Sequence, residues 1–377
     1  MGPLNGYTIV ELAGIGPAPM AGMMLADQGA ELIRVDRFAT EDPSPLECIS
    51  GRGKKSVVIN LKSSEGVDAL LRIVENADAL IDPFRPGVCE KLGIGPDVCL
   101  ERNPRLVFAR MTGWGQDGPL ARAAGHDLNY IALTGALFAN GEAGGRPLPP
   151  LNLVGDFGGG AMLLVNGILA ALLETASSGR GQVVDVAMVD GAAQLMWMMH
   201  TFHAVGQWNP DVREGNLLDG GTHFYNTYEC ADGEYVAIGP IEAQFYELFL
   251  ELAQLDRETF GEQNNPDRWP DLKERLAAVM RERTRDEWCE LLEGTDACFA
   301  PVLRFTEAPQ HAAARARNSY IDIDGVTQPA PAPRYSRTMA EVAHGPRANG
   351  ADTRRVLAAM GFGEGEIEQL RASGAIQ

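Results

Sequence analysis

YTIVELAGIGPAPMAGMMLADQGAELIRVD, residues 7–36, reads as a strand, a glycine turn, a helix and a second strand. YTIVEL (7–12) and AELIRVD (30–36) are rich in Ile, Leu and Val, as strands are when both faces of a parallel sheet are covered. PMAGMMLADQG (19–29), between them, has helical periodicity. The turn AGIGPAP (13–19) lies where a dinucleotide-binding glycine turn would, but the last glycine position of that register holds Pro19. Nicotinamide binding is therefore disfavoured. Proline is well suited to a first helical turn, and such a turn still presents backbone N–H groups to a ligand.

The same alternation continues outward. SVVIN (56–60), ADALID (77–82), LVFARMTG (106–113) and QVVDVAMV (182–189) read as further strands, and SSEGVDALLRIVENA (63–77) as a helix. Repeated βαβ units imply an α/β class, with a large open-sheet, Rossmann-like domain over residues 1–220. The pattern then changes. YNTYECADGEYVAIG (225–239) reads as a hairpin turning at Asp232-Gly233. Helical stretches at 243–255, 270–281 and 284–293 and a strand in CFAPVLRF (298–305) complete a smaller α+β domain over 225–327. QPAPAPRYS (328–336) reads as an extended connector. With helices near 351–360 and 364–373, residues 328–377 return the chain to the large domain. AMLLVNGILAALL (161–173) reads as a core helix, too short to span a bilayer and interrupted by Asn166.

The 377 residues carry a formal charge of −19, which opposes nucleic acid and anionic membrane surfaces. An anionic ligand would need local cations. Arg37, Arg52, Lys54, Lys55, Lys62, Arg85 and Lys91 stand near expected strand ends, where open α/β sheets bind ligands. Cysteines at 48, 89, 99, 230, 289 and 298 form no CxxC pair and no zinc spacing. They read as buried thiols of a reducing cytosol, and the lack of a signal-peptide pattern in MGPLNGYTIVEL agrees with a cytoplasmic protein.

Three residues stand out chemically. His126, in AGHDLNY (124–130), is one of six histidines. Asp156, in LNLVGDFGGGAMLLVNG (151–167), precedes three glycines and an apolar helix. An Asp there reads as a helix N-cap, and the glycines as leaving N–H groups open to a developing enolate oxygen. Glu242, in GPIEAQFYELF (239–249), is a helix-start carboxylate. Methionines at 20, 23, 24, 188, 196, 198 and 199 suit either core packing or a pliable surface for acyl chains.

The order and spacing of AGIGPAPMAGMMLADQGAELIRVDR, RGKKSVVINLK, ADALIDPFRPGVCEKLG, RMTGWGQDGPLA, AGHDLNYIALTG, PLNLVGDFGGG, GQVVDVAMVDG, VAIGPIEAQFYE and DACFAPVL resemble the family III CoA-transferase superfamily, and within it the alpha-methylacyl-CoA racemases. The resemblance implies an interlocked homodimer whose active sites join the large domain of one subunit to the small domain of the other. It implies an acyl-CoA substrate, with no metal and no further cofactor. The residue matching Asp156 is the acyl-accepting nucleophile in the transferases and an acid/base group in the racemases, and His126 stands where racemases carry histidine. Inversion needs a base on each face of the carbon, so His126 and Asp156 become the pair. Glu242 resembles the carboxylate that shares a proton with the catalytic Asp. Asp185 or Asp190 is a candidate to orient His126.

For CoA, the resemblance points to Arg37 and Lys62 at the phosphates and to Ile15, Leu61 and Arg85 near the adenosine, with Lys91 and Gly125 as further contacts. Pro83 departs from the Asn common in the transferases. The rival readings are a CoA-transferase acting through an aspartyl anhydride on Asp156, and a non-catalytic acyl-CoA-binding protein, for which His126, Asp156 and Glu242 would be superfluous.

Overall fold

The structure is a computed structural model and describes residues 2–37 and 47–377. Six strands form one parallel sheet: β1 (Thr8–Leu12), β2 (Glu31–Asp36), β3 (Lys54–Val58), β4 (Ala79–Asp82), β5 (Val107–Thr112) and β6 (Gln182–Ala187). Their order is β3-β2-β1-β4-β5-β6. It reverses between β1 and β4, and a crevice opens at such a switch point beyond the carboxyl ends of the strands. Side chains alternate between the two faces. Val10, Ile33, Leu80 and Phe108 enter a core shared with the helix Ser64–Val74 and residues Val356–Ile376. Ile9, Leu32, Ala79, Ile81 and Val107 enter the other, beneath the helices Pro17–Asp27 and Leu163–Ser178.

The chain divides into two compact units, Met1–Thr134 with Leu151–Leu195 and Asn318–Gln377, and Gly135–Pro150 with Met196–Arg317. The borders at 195 and 317 lie earlier than the sequence placed them, near 220 and 327. The second unit holds an antiparallel sheet of β7 (Asn226–Glu229), β8 (Tyr235–Ile238) and β9 (Phe299–Pro301). Helices Ala243–Leu252, Trp269–Met280 and Arg285–Leu292 cover a core that includes Phe224, Tyr246, Phe249 and Trp288.

Four expectations change. Residues 328–329 are not the start of a free connector, because Val326–Pro329 pairs antiparallel with Tyr320–Ile323. The hairpin turns at Asp324-Gly325, both at positive φ (53° and 80°), as a tight hairpin turn requires. The apolar helix is longer than residues 161–173: a π-helical run, Leu153–Met162, joins Leu163–Ser178. The resulting 26 residues are long and apolar enough, by length and composition, to cross a bilayer, although Leu164, Ile168 and Leu172 lie in the core. Of the thiols, Cys89, Cys99 and Cys230 are buried, whereas Cys48 and Cys298 are exposed.

The fourth change concerns GRGKK. Lys54 Nζ donates to both Glu11 oxygens (2.9 and 2.7 Å) and to the Pro19 carbonyl (2.8 Å) inside the sheet-helix core. Gly22 makes this possible, since a Cβ there would run into Glu11 Oε2. Arg52 is buried on Asp27 at 2.6 Å, and Lys55 pairs with Glu31. These cations are structural rather than ligand-binding. Burial pushes the Glu11 carboxyl pKa up and the Lys54 ammonium pKa down, and each charge restrains the shift of the other. Lys54→Met would leave Glu11 buried without its partner, an expected loss of about 3–5 kcal/mol. Urea unfolding measures it. Adding Glu11→Leu to the same chain is expected to restore most of the stability, and a single variant as stable as the parent would contradict this account.

Candidate functional site

Three loops beyond the carboxyl ends of the strands shape the site. After β1, Gly16 adopts φ 72° and ψ −123°, a conformation open in practice to glycine, and Pro17 begins the next helix. Gly14 lets the β4 loop close on it, because a Cβ there would sit 2.6 Å from Pro83 Cβ. After β4, Asp82 Oδ1 accepts the Phe84 N–H at 2.9 Å and fixes the Pro83–Pro86 turn. After β5, Trp114 meets Tyr130 edge to face with ring centroids 4.8 Å apart. The Tyr130 hydroxyl donates to the Gly125 carbonyl, and the ring leaves no room for a Cβ at Gly113 or Gly125. The segment leading into His126 is thus tied down. The His126 N–H donates to Asn129 Oδ1 at 3.1 Å as the helix Asp127–Ala132 begins.

Asp156 is not a helix N-cap. It lies within the π-helical run, and its N–H donates to Asp127 Oδ1 at 2.7 Å. Asn152 Nδ2 donates to Asp156 Oδ2 at 3.1 Å. The glycines that follow serve packing rather than substrate access: a Cβ on Gly159 would lie 2.6 Å from the Ala192 nitrogen, and Gly191 abuts the Gly159 carbonyl. A run of π turns is rare and gathers at functional sites. Here it carries the Asp156 carboxylate toward the β1 turn, where a Cβ built on Gly16 would be 3.8 Å from Oδ2. Burial raises the Asp156 carboxyl pKa and the negative charge of Asp127 adds to the rise; the Asn152 bond and His126 oppose it.

Asp127 is the participant that sequence reading passed over, although it stands next to His126. It is 5% exposed, and its Oδ2 is buried with no hydrogen-bond partner among the described residues. A cavity of about 250 Å³ joins Ile15, Arg85, Gly125, His126 and Asp156 of the expected residues with Phe84, Trp114 and Tyr130. Arg37 is exposed, its guanidinium 5.9 Å from the Phe84 ring centroid. Leu61, Lys62 and Lys91 do not line the cavity. Leu61 and Lys62 follow β3, two strands from the switch point or roughly 10 Å along the sheet. Glu242 precedes the helix Ala243–Leu252 in the second unit, makes no side-chain capping bond and is exposed there. Asp185 does not orient His126; its Oδ2 accepts the Gln116 N–H at 3.1 Å.

One buried cation braces the cavity wall. Arg110 donates to Gln116 Oε1 at 2.5 Å, pairs with Glu90, and lies 3.8 Å from Asp82 Oδ2. It links the Phe84 turn to the Trp114–Gln116 loop. Chemically, the cavity offers an imidazole and a carboxyl whose pKa is raised, two groups able to exchange protons with one bound carbon acid.

The description CoA-transferase family III matches residues 4–353. Alpha-methylacyl-CoA racemase of Mus musculus is 45% identical, over 99% of this chain and 97% of that protein. The Homo sapiens racemase is 42% identical with the same coverage. The crystal structure of Rv3272 from M. tuberculosis superposes with a TM-score of 0.79 at 26% identity, covering 94% of this chain and 98% of that one.

Asp127→Asn keeps an acceptor for the Asp156 N–H but removes a negative charge. The Asp156 carboxyl is expected to titrate at lower pH in that variant, followed by carbon NMR of labelled aspartate. An unchanged or higher midpoint would remove Asp127 from the account.

Proposed function

Because the chain belongs to CoA-transferase family III, we propose that it interconverts (2R)- and (2S)-2-methylacyl-CoA thioesters by moving the proton on the carbon next to the thioester. The observation that carries this reading is that His126 and Asp156 line one cavity at the switch point of the sheet. Identity of 45% and 42% to curated racemases along nearly the whole chain supports it.

In one direction neutral His126 takes the proton, electrons move onto the thioester oxygen, and protonated Asp156 delivers a proton to the opposite face. The return reverses both roles. The raised Asp156 pKa keeps a protonated fraction available nearer neutral pH. This chemistry calls for neither a metal nor a redox cofactor; the CoA thioester is itself the substrate.

Arg37 and Lys62 serve the CoA phosphates, Ile15, Leu61 and Arg85 the adenosine, with Lys91 and Gly125 as further contacts. Glu242 comes from the small domain of a second copy in an interlocked homodimer. The protein works in the cytoplasm, apart from nucleic acid and membrane surfaces, consistent with a net charge of −19.

In heavy water the enzyme is expected to wash deuterium into the α-carbon of a 2-methylacyl-CoA. His126→Ala and Asp156→Ala should each lose racemisation by roughly 100-fold or more while still binding the ester. Full activity in either variant sinks the pair. Hydroxylamine decides against the rival: a transferase would be trapped as a hydroxamate on Asp156.

Arg37→Ala is expected to raise KM for acyl-CoA roughly 10- to 150-fold with little change in kcat. Acyl-pantetheine, which lacks the distal phosphates, should scarcely register the change. Equal losses with both substrates would assign Arg37 to the fold.

A further inference from the structure

Asn60 stands at the end of the edge strand β3 and is held from two sides. Its N–H donates to the Ala375 carbonyl at 2.8 Å, and its side-chain amide donates to the Gly374 carbonyl at 3.3 Å. Beside it, Ile59 and Ile376 form an antiparallel bridge, and the Ile376 side chain is buried in the core. Asn60 then holds the turn that follows. Its Oδ1 accepts the Lys62 N–H at 3.1 Å, and its carbonyl accepts from the Ser63 N–H and Oγ, both at 3.1 Å. Ser63 Oγ in turn caps the helix Ser64–Val74 by accepting from Gly66. Gly66 has no space for a side chain, since a Cβ there would overlap the Asn60 carbonyl.

We propose that residues 374–376 are a clamp which, through Asn60, sets the position of the Leu61–Lys62 turn and hence the affinity for the phosphate end of CoA. The inference rests on the reading of Lys62 as a phosphate contact. Lys62 is exposed, and its place is fixed by its backbone rather than by packing of its side chain. The turn, held also by its own helix cap and by Leu61 against the core, is thereby tied to a segment more than 300 residues away in sequence. Asn60 and residues 374–376 are positioning residues and touch no reacting atom.

The test uses the full enzyme with acyl-CoA and acyl-pantetheine as paired substrates. Asn60→Ala releases the Lys62 N–H and the Gly374 carbonyl without cutting into the core. It is expected to raise KM for acyl-CoA roughly 2- to 10-fold, the scale of one or two neutral hydrogen bonds, with kcat and acyl-pantetheine kinetics unchanged. Removal of residues 375–377 should act in the same direction and also lower Tm, as Ile376 leaves the core. Because both changes act through Lys62, Asn60→Ala should add nothing in a Lys62→Ala background. If Lys62→Ala alone leaves KM unchanged, the phosphate role of Lys62 fails and the clamp falls with it. If Lys62→Ala raises KM but Asn60→Ala does not, or if the two effects are additive, the clamp alone is overturned. An equal loss with acyl-pantetheine would likewise overturn it and leave Asn60 a general stabiliser.

Discussion

The hydrogen bond from the Asp156 N–H to the Asp127 carboxylate, 2.7 Å long, binds the π-helical run to the helix that carries His126. One carboxylate thereby locates Asp156 relative to His126. It also acts on that residue's chemistry. A buried negative charge beside Asp156 makes its ionised form less favourable, in the same direction as burial itself. Asp127 thus bears on both the position and the acidity of Asp156. Gly155 shows how tight the arrangement is, since a Cβ there would stand 2.6 Å from the Asp127 oxygen.

The same economy appears in the cavity wall. Asp82 holds the Phe84 turn through a backbone N–H, Arg110 stands beside Asp82, and Arg110 reaches Gln116 in the next loop. Burial raises the Asp82 pKa, and the Arg110 guanidinium moderates the rise. In a chain with net charge −19 the cations of the GRGKK stretch do not provide a diffuse positive surface. Arg52 and Lys54 are inside the protein, each committed to a carboxylate. Arg37 and Lys62, by contrast, are exposed.

Strands and sheet class were legible because Val, Ile and Leu runs covered on both faces have few other uses. The hairpin at 320–329 was equally legible in principle, through Asp324-Gly325, but Pro329 and the two prolines after it suggested a linker. The π-helical run was not. Its glycines invite a reading about open backbone, and only the approach of residues 188–192 shows that they admit a neighbouring helix. Asp127 was overlooked because its role depends on a residue 29 positions away. His126 and Asp156 were found through family resemblance; isolated from it, each had an ordinary structural explanation.

The large unit is closed by its latest residues. Buried Arg52 finds acceptors at Gln328 and Pro329, the Ser56 N–H finds Asp352, and Ile59 meets Ile376. On a ribosome adding about 5–20 residues per second, the 296 positions between Ser56 and Asp352 take roughly 15–60 s to emerge. Throughout that interval the nascent β3 edge stands unfinished, while the stretch 196–317 is delivered whole. The edge of a sheet is where chains pair wrongly. Until residues 328–376 emerge, that edge lacks the segments that complete it.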